Sequence, residues 1–146
     1  MTRTVSFPLT VFYDASCPLC ASEIETLAAR DTEGRLVLVD CSARSFDGRP
    51  FAAEGVTRVA MLDRIHARDA AGRWLTGVDV FAEAYSAAGF PRIARMFASP
   101  WLRPLWNRIY PWIARNRYQL SRLRLHRFYD LVARSDCDRC GSKRWR

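Results

Sequence analysis

The sequence predicts an α/β fold: a sheet with flanking helices, followed by a C-terminal helical extension. Three observations carry that reading. A short apolar run is followed by a turn and then a helical pattern; a second apolar run follows that helix; and a pair of short alternating segments around a glycine turn comes before another helical pattern.

Leu9-Thr10-Val11-Phe12-Tyr13 is a run of β-branched and aromatic residues and reads as a buried strand, with the turn supplied by Asp14-Ala15-Ser16. After Pro18, Leu19, Ile24, Leu27 and Ala28 give an apolar helical pattern. Pro18 stands where a first-turn proline is tolerated, Glu23 and Glu25 lie near the first turns and Arg30 near the end, in agreement with the helix dipole. Gly34 breaks the pattern and Leu36-Val37-Leu38-Val39 forms a second strand. The opening is therefore a β-α-β unit with two parallel strands, a right-handed crossover and room for other strands between them. Residues 42–55 read as loop or broken helix, and Thr57 caps a short helix through Leu62. Segments 64–69 and 73–76 flank Ala70-Ala71-Gly72 as a hairpin, and Val80, Phe81, Ala84, Tyr85 and Ala88 recur at helical spacing up to Gly89 and Pro91. From residue 91 on, Pro91, Pro100, Pro104 and Pro111 predict short helical pieces and no long straight helix before residue 112; a more continuous pattern then runs from Trp112 to Val132.

A chain of 146 residues fits one domain with an appendage. Hydrophobic residues at 49% and charged residues at 26% exclude a disordered tail, a collagen-like repeat or a disulfide-dense mini-protein. Five cysteines form an odd set, and no basic flank, apolar run and small-residue cleavage site opens the chain. The expected compartment is therefore the reducing cytoplasm. Arginines interrupt every window approaching the roughly 18 apolar residues of a membrane span. The net charge of +8 is unevenly spread: residues 1–90 carry nine Arg against twelve Asp or Glu, whereas residues 91–146 carry fourteen Arg or Lys against three Asp. Twenty-two of the twenty-three basic residues are Arg, so compositional bias competes with a functional basic surface as the cause.

Cys17-Pro18-Leu19-Cys20 carries the chemistry. Two thiols at i and i+3 at a helix start can close a small disulfide ring, and the free N–H groups there favour a thiolate on the first. Cys17 is the expected nucleophile. Cys20, one turn on and expected to be the more buried, would resolve the mixed disulfide by attacking Cys17. Zinc binding and an inert pair of buried thiols compete with redox chemistry for any C-x-x-C, and placement between a strand and a helix favours redox.

The sequence here resembles the DCC family of thiol-disulfide oxidoreductases, which have a thioredoxin-like fold. The residues that carry the likeness are Tyr13-Asp14-Ala15-Ser16-Cys17-Pro18-Leu19-Cys20, the stretch Asp69-Ala70-Ala71-Gly72-Arg73-Trp74-Leu75-Thr76-Gly77 leading to Phe81, and Tyr110-Pro111-Trp112-Ile113-Ala114-Arg115-Asn116-Arg117-Tyr118, so that it spans most of residues 7–120. It implies a redox role for Asp14, Cys17 and Cys20, which match the family's Asp and paired cysteines. Ala15 departs from a usual Gly, which would strain the turn if positive φ were needed. Thioredoxin-like proteins also commonly set a cis-proline before a strand near the cysteines; Ala60-Met61-Leu62-Asp63-Arg64, before Ile65, has none, so substrate pairing along that backbone lacks support.

Asp14, three residues before Cys17, suits proton transfer or water orientation, though a turn or cap role is the commoner use of such an Asp. Cys41 follows the second strand, on the sheet edge shared with the first β-α turn; approach to Cys17 competes there with service as a small buried hydrophobe. His66 and His126 lack ligand spacing and read as packing or surface residues. Cys137-Asp138-Arg139-Cys140 admits three readings: an electron shuttle to Cys17 and Cys20, half a zinc site, or an incidental pair. In the tail, Trp101, Leu105, Ile109 and Ile113 predict a stripe packed on the domain with Arg toward solvent; an anionic membrane surface is the next reading and nucleic acid the last.

These readings converge on a thioredoxin-like domain over residues 7–90 and a basic, aromatic-rich helical extension over 91–146. The expected function is thiol-disulfide exchange by Cys17 and Cys20 with a protein or small-molecule disulfide, served by an unidentified electron donor or acceptor and no cofactor. The rivals are a non-enzymatic zinc-holding module and an anionic-surface-binding module.

Overall fold

Strand β1 (Leu9–Tyr13) is apolar on both faces because it is covered on both. Leu9 and Val11 point into one core with Ile24, Leu27, Val80, Ala84 and Tyr85, whereas Phe12 points into a second with Cys41 and Met61, flanked by Phe46, Phe51 and Trp74. The computed structural model describes residues 4–123. Within them α1 (Pro18–Arg30) leads to β2 (Leu36–Asp40), then α2 (Arg49–Ala52), α3 (Arg58–Asp63), β3 (His66–Arg68), β4 (Trp74–Thr76), α4 (Val78–Ala87), α5 (Pro91–Ala98) and α6 (Arg103–Arg122).

The sheet runs in the order β2-β1-β3-β4. β1 and β2 are parallel and immediate neighbours, Leu9 opposite Leu36 and Tyr13 opposite Asp40, with no strand between them. β3 pairs antiparallel with both β1 and β4. The hairpin between β3 and β4 turns on Asp69, whose Oδ1 accepts the N–H groups of Ala71 and Arg73, and on Gly72 at φ +83°. The 42–55 segment contains one short helix, α2, and Thr57 Oγ1 caps α3 by accepting the Ala60 N–H at 3.2 Å.

The proline-based expectation for the tail fails at one position. α6 continues for 20 residues straight through Pro111. Proline inside a helix costs roughly 3 kcal/mol through a missing hydrogen bond and a clash. Here side chains on both sides of it are anchored to the body: Trp106 packs on Phe97 at 4.8 Å and Tyr110 on Phe81 at 5.7 Å before it, and Arg117 pairs with the buried Asp14 after it. Pro91 and Pro104 instead fall in the first turns of α5 and α6, where no N–H is needed.

The packing face of α6 also differs from the expected stripe. Trp101 is 91% exposed and Leu105 is exposed, while Trp106, Tyr110, Ile113, Ala114 and Arg117 turn inward. Steps of four drift around a 3.6-residue helix, whereas 106, 110, 113 and 117 stay on one side. Arg117 therefore leaves the solvent side on which the sequence pattern places it. None of the described helices is long and apolar enough to cross a membrane.

Candidate active site

The turn between β1 and α1 sets the two cysteines. Cys17 is the N-cap of α1: its Sγ accepts the Cys20 backbone N–H at 3.4 Å, and Pro18 opens the helix without an N–H to satisfy. One turn on, the Cys20 thiol donates to the same sulfur, the two Sγ atoms standing 2.9 Å apart. The cysteines thus face each other, both as free thiols.

Their burial is the reverse of the expectation. Cys17 is fully buried and Cys20 is half-buried. An N-cap sulfur accepting the Cys20 N–H has to tuck over the helix end, while Cys20, inside the first turn, projects toward a cleft beside α6. Ser16 and Pro18, on either side of Cys17 in sequence, are exposed.

Proton affinity separates the two sulfurs strongly. The hydrogen bond from the Cys20 thiol, reinforced by the Cys20 amide and the Arg117 charge, outweighs burial and pulls Cys17 down to about 6. Cys20 is pushed up, because its proton is held in the bond to Cys17 and because it is buried. At neutral pH the pair holds one proton, on Cys20, and one thiolate, on Cys17.

Asp14 is buried and its carboxylate is fully engaged. Oδ1 accepts the Ser16 N–H and hydroxyl at 3.0 and 2.5 Å; Oδ2 accepts the Tyr118 hydroxyl at 2.5 Å and Arg117 Nη2 at 3.0 Å. It ties the active-site turn to the last turns of α6, which is the turn-and-cap use of an aspartate extended across the fold. Arg117 also donates to the Leu62 carbonyl of α3. Ala15 fits the turn and donates its N–H to Asp40 Oδ1 at 3.1 Å. At the segment where a cis-proline is common, the Ile65 N–H is instead taken by the Tyr110 hydroxyl at 3.1 Å, so that backbone is already bonded internally.

Four groups near the cysteines are not site residues by sequence reasoning: Glu23, Tyr110, Arg117 and Tyr118. A cavity of about 70 Å³ lies against Cys20 and is lined by Glu23, Tyr110, Ile113 and Arg117 among others. Glu23, one turn beyond Cys20, turns its carboxyl inward, where Oε1 accepts the hydroxyl of the buried Tyr85 at 2.7 Å. Burial, aided by the charge of Cys17 and resisted by the Tyr85 bond, raises this carboxyl to about 7. Its i+3 spacing from Cys20 is the signal that could have found it; as a charge near a helix start it reads only as a dipole partner. Tyr110, Arg117 and Tyr118 all lie within the segment that carries the family resemblance.

The remaining candidates fall elsewhere. Cys41 packs against Met61, sulfur to sulfur at 3.7 Å, in the second core, and burial pushes its thiol up to about 12. His66 is buried, with Nδ1 on the Arg64 carbonyl at 2.7 Å and its ring against Trp74, and desolvation lowers its proton affinity. Among the described residues no group of three or more His, Cys, Asp or Glu is placed to hold a metal ion. His126, Cys137 and Cys140 lie outside the described residues.

No solved structure matches the chain. One relative is the "Uncharacterized protein At5g50100, chloroplastic" of Arabidopsis thaliana, 28% identical over 85 residues, which are 58% of this chain and 39% of that protein. The chain thus matches well under half of that relative's length. The family model for the DCC1-like thiol-disulfide oxidoreductases matches residues 11–123, from β1 through the whole of α6, and takes in the cysteines, Glu23 and Arg117 together. With a mixed four-stranded sheet, flanking helices and a C-terminal helix in place, the fold is thioredoxin-like, and the chain belongs to the DCC1-like thiol-disulfide oxidoreductase family.

Proposed function

We propose that this protein exchanges a Cys17–Cys20 dithiol or disulfide with a disulfide or dithiol of a protein or small molecule. The observation that carries the reading is the pair of facing sulfurs 2.9 Å apart, an arrangement that lowers the proton affinity of Cys17 and raises that of Cys20. A disulfide spans about 2.05 Å, so closing the bond asks for a shift of roughly 0.9 Å.

In the reducing direction the Cys17 thiolate attacks a substrate sulfur and the substrate's S–S bond breaks. One half leaves as a thiolate and the other stays bonded to Cys17. Cys20 then loses its proton and attacks the Cys17 sulfur, closing the internal disulfide and releasing the second thiolate; two electrons have passed to the substrate. Glu23, near neutrality and on the cavity shared with Cys20, is the group we assign to take that proton. An external dithiol donor restores the pair; an external disulfide acceptor would run the cycle the other way. Cys17 acts as nucleophile despite its burial, because a thiol at about 6 is roughly nine-tenths ionised at pH 7, whereas Cys20 holds its proton. Attack by Cys17, which is fully buried, requires a docking substrate to displace the residues that cover it. Asp14 positions the turn and Arg117. The reducing cytoplasm is the compartment we propose for the cycle.

The test is a redox titration with thiol trapping, on the wild type and on a variant lacking Cys137 and Cys140, with zinc content measured in parallel. Formation of a Cys17–Cys20 disulfide at a defined potential in both proteins is the expected result. Failure to form that bond at any potential overturns the proposal, and stoichiometric zinc lost on Cys17→Ser would assign the cysteines to metal instead.

A further inference from the structure

The outward face of α6 is unlike the rest of the surface. Trp101, two residues before the helix, and Leu105, Arg108, Trp112, Arg115 and Arg122 within it recur at steps of four, three and seven and are all exposed, Trp101 at 91% and Trp112 at 58%. The helical members share one side of a helix about 30 Å long, opposite the side that packs on the body. A large exposed indole on a helix that already has an inner packing face, and another on the turn before it, do not serve this core.

Charge says what this face would meet. Residues 91–123 contain seven Arg and no Asp or Glu, and the next acidic residue in the chain is Asp130; residues 1–90 carry a net charge of −3. Two copies meeting through this face would oppose like charges. The face is the outside of a helix, and the cavity beside α6 lies on its other side, lined by Tyr110, Ile113 and Arg117. An exposed helix surface with an indole and guanidinium groups in one stripe, and a second exposed indole on the turn before it, suits a flat anionic layer: tryptophan favours the water–lipid boundary and arginine the headgroup phosphates.

We propose that the outer face of α6, with Trp101 at its start, is a docking surface for anionic lipid headgroups, on which Trp101 and Trp112 enter the interfacial layer while Arg108, Arg115 and Arg122 pair with phosphates. The helix lies in the plane of the surface, and the net-negative body is held away from it. This docking is independent of the thiol chemistry.

The experiment is co-sedimentation of the full chain with phosphatidylcholine vesicles and with vesicles containing phosphatidylserine, at low and physiological salt, alongside binding to a single-stranded oligonucleotide. Expected are salt-sensitive binding to the phosphatidylserine vesicles with a blue shift of tryptophan emission, and little binding to phosphatidylcholine alone. The double variant Trp101→Ser, Trp112→Ser should bind at least tenfold more weakly, and Arg108→Gln, Arg115→Gln weaker by about fivefold per arginine. An unchanged thermal transition in each variant shows that the fold is intact. The proposal is overturned if the wild type ignores phosphatidylserine vesicles, or if the four substitutions leave binding unaltered, which places it elsewhere on the chain. Binding to the oligonucleotide tighter than to vesicles would assign the face to nucleic acid and overturn it equally.

Discussion

Replacing Glu23 by Gln tests the electrostatics of the site without removing its packing. The carboxyl is raised to about 7 against 4.5 for a free glutamate, chiefly by burial. Its folded-state value lies above the unfolded one, so the group contributes its full stability below pH 4.5 and loses it as pH rises to 7. Between those values the folded chain keeps a proton that the unfolded chain has lost. At about 1.4 kcal/mol per unit, the loss comes to about 3.5 kcal/mol as an upper bound, since Glu23 is only half-buried and partial exposure to solvent lowers the desolvation cost. Urea denaturation of the oxidised protein from pH 4 to 8 isolates the burial contribution, because the disulfide removes both thiol titrations and with them the smaller upward push of the Cys17 charge on Glu23. Wild-type stability, relative to Glu23→Gln, should fall by about 1–3 kcal/mol over that window and then level off above pH 7. The variant should also slow closure of the mixed disulfide below pH 8, with the deficit shrinking at higher pH as hydroxide takes over the proton from Cys20. A stability difference that stays flat across pH would refute the reasoning, because it would mean the carboxyl is solvated and titrates as an ordinary glutamate.

Alkylation of Cys17 by iodoacetamide as a function of pH should show an inflection near 6, and Cys20→Ala should move it upward by a unit or more, since the largest lowering influence is the Cys20 thiol bond. Asp14→Asn leaves the half-buried Arg117 without its counter-charge and should cost about 2–4 kcal/mol in a urea melt, below the roughly 3–5 kcal/mol of a fully buried pair, with α6 loosened from the turn. Tyr110→Phe strips the Ile65 N–H of its acceptor, for an expected loss of about 1–3 kcal/mol by the same assay. Gly77→Ala should destabilise by roughly 1–3 kcal/mol, because Gly77 sits at φ +60° and a methyl there would stand 3.2 Å from the Tyr110 ring.

What can be read from sequence is whatever is local. β1, α1 and β2 announce themselves by apolar runs and a cap, and the Asp69 turn by its Asp and Gly, because each is specified within a few residues. The cysteine pair and its order of proton affinity follow from the helix start in the same way. The features that differ from the sequence pattern depend on partners far along the chain. The inward turn of Arg117 is set by contacts between residues 14 and 117–118, more than a hundred positions apart. Pro111 misleads because a local penalty of roughly 3 kcal/mol is visible in sequence and the anchors on either side of it are not.

The same long-range tie changes what the C-terminal helix is for. Tyr110 completes the backbone bonding before β3, Arg117 joins Asp14 and the end of α3 to the thiolate's surroundings, and Tyr118 closes the Asp14 carboxylate. Removal of α6 would therefore leave Asp14 without two of its four hydrogen-bond donors and Cys17 without the nearby cation that helps hold it ionised. A chain truncated near residue 90 should then show the Cys17 titration moved upward, by less than Cys20→Ala moves it, even where its sheet survives. The inner face of α6 thus acts on the chemistry while its outer face stays free for a surface, so substitutions on the two faces should separate thiol reactivity from vesicle binding.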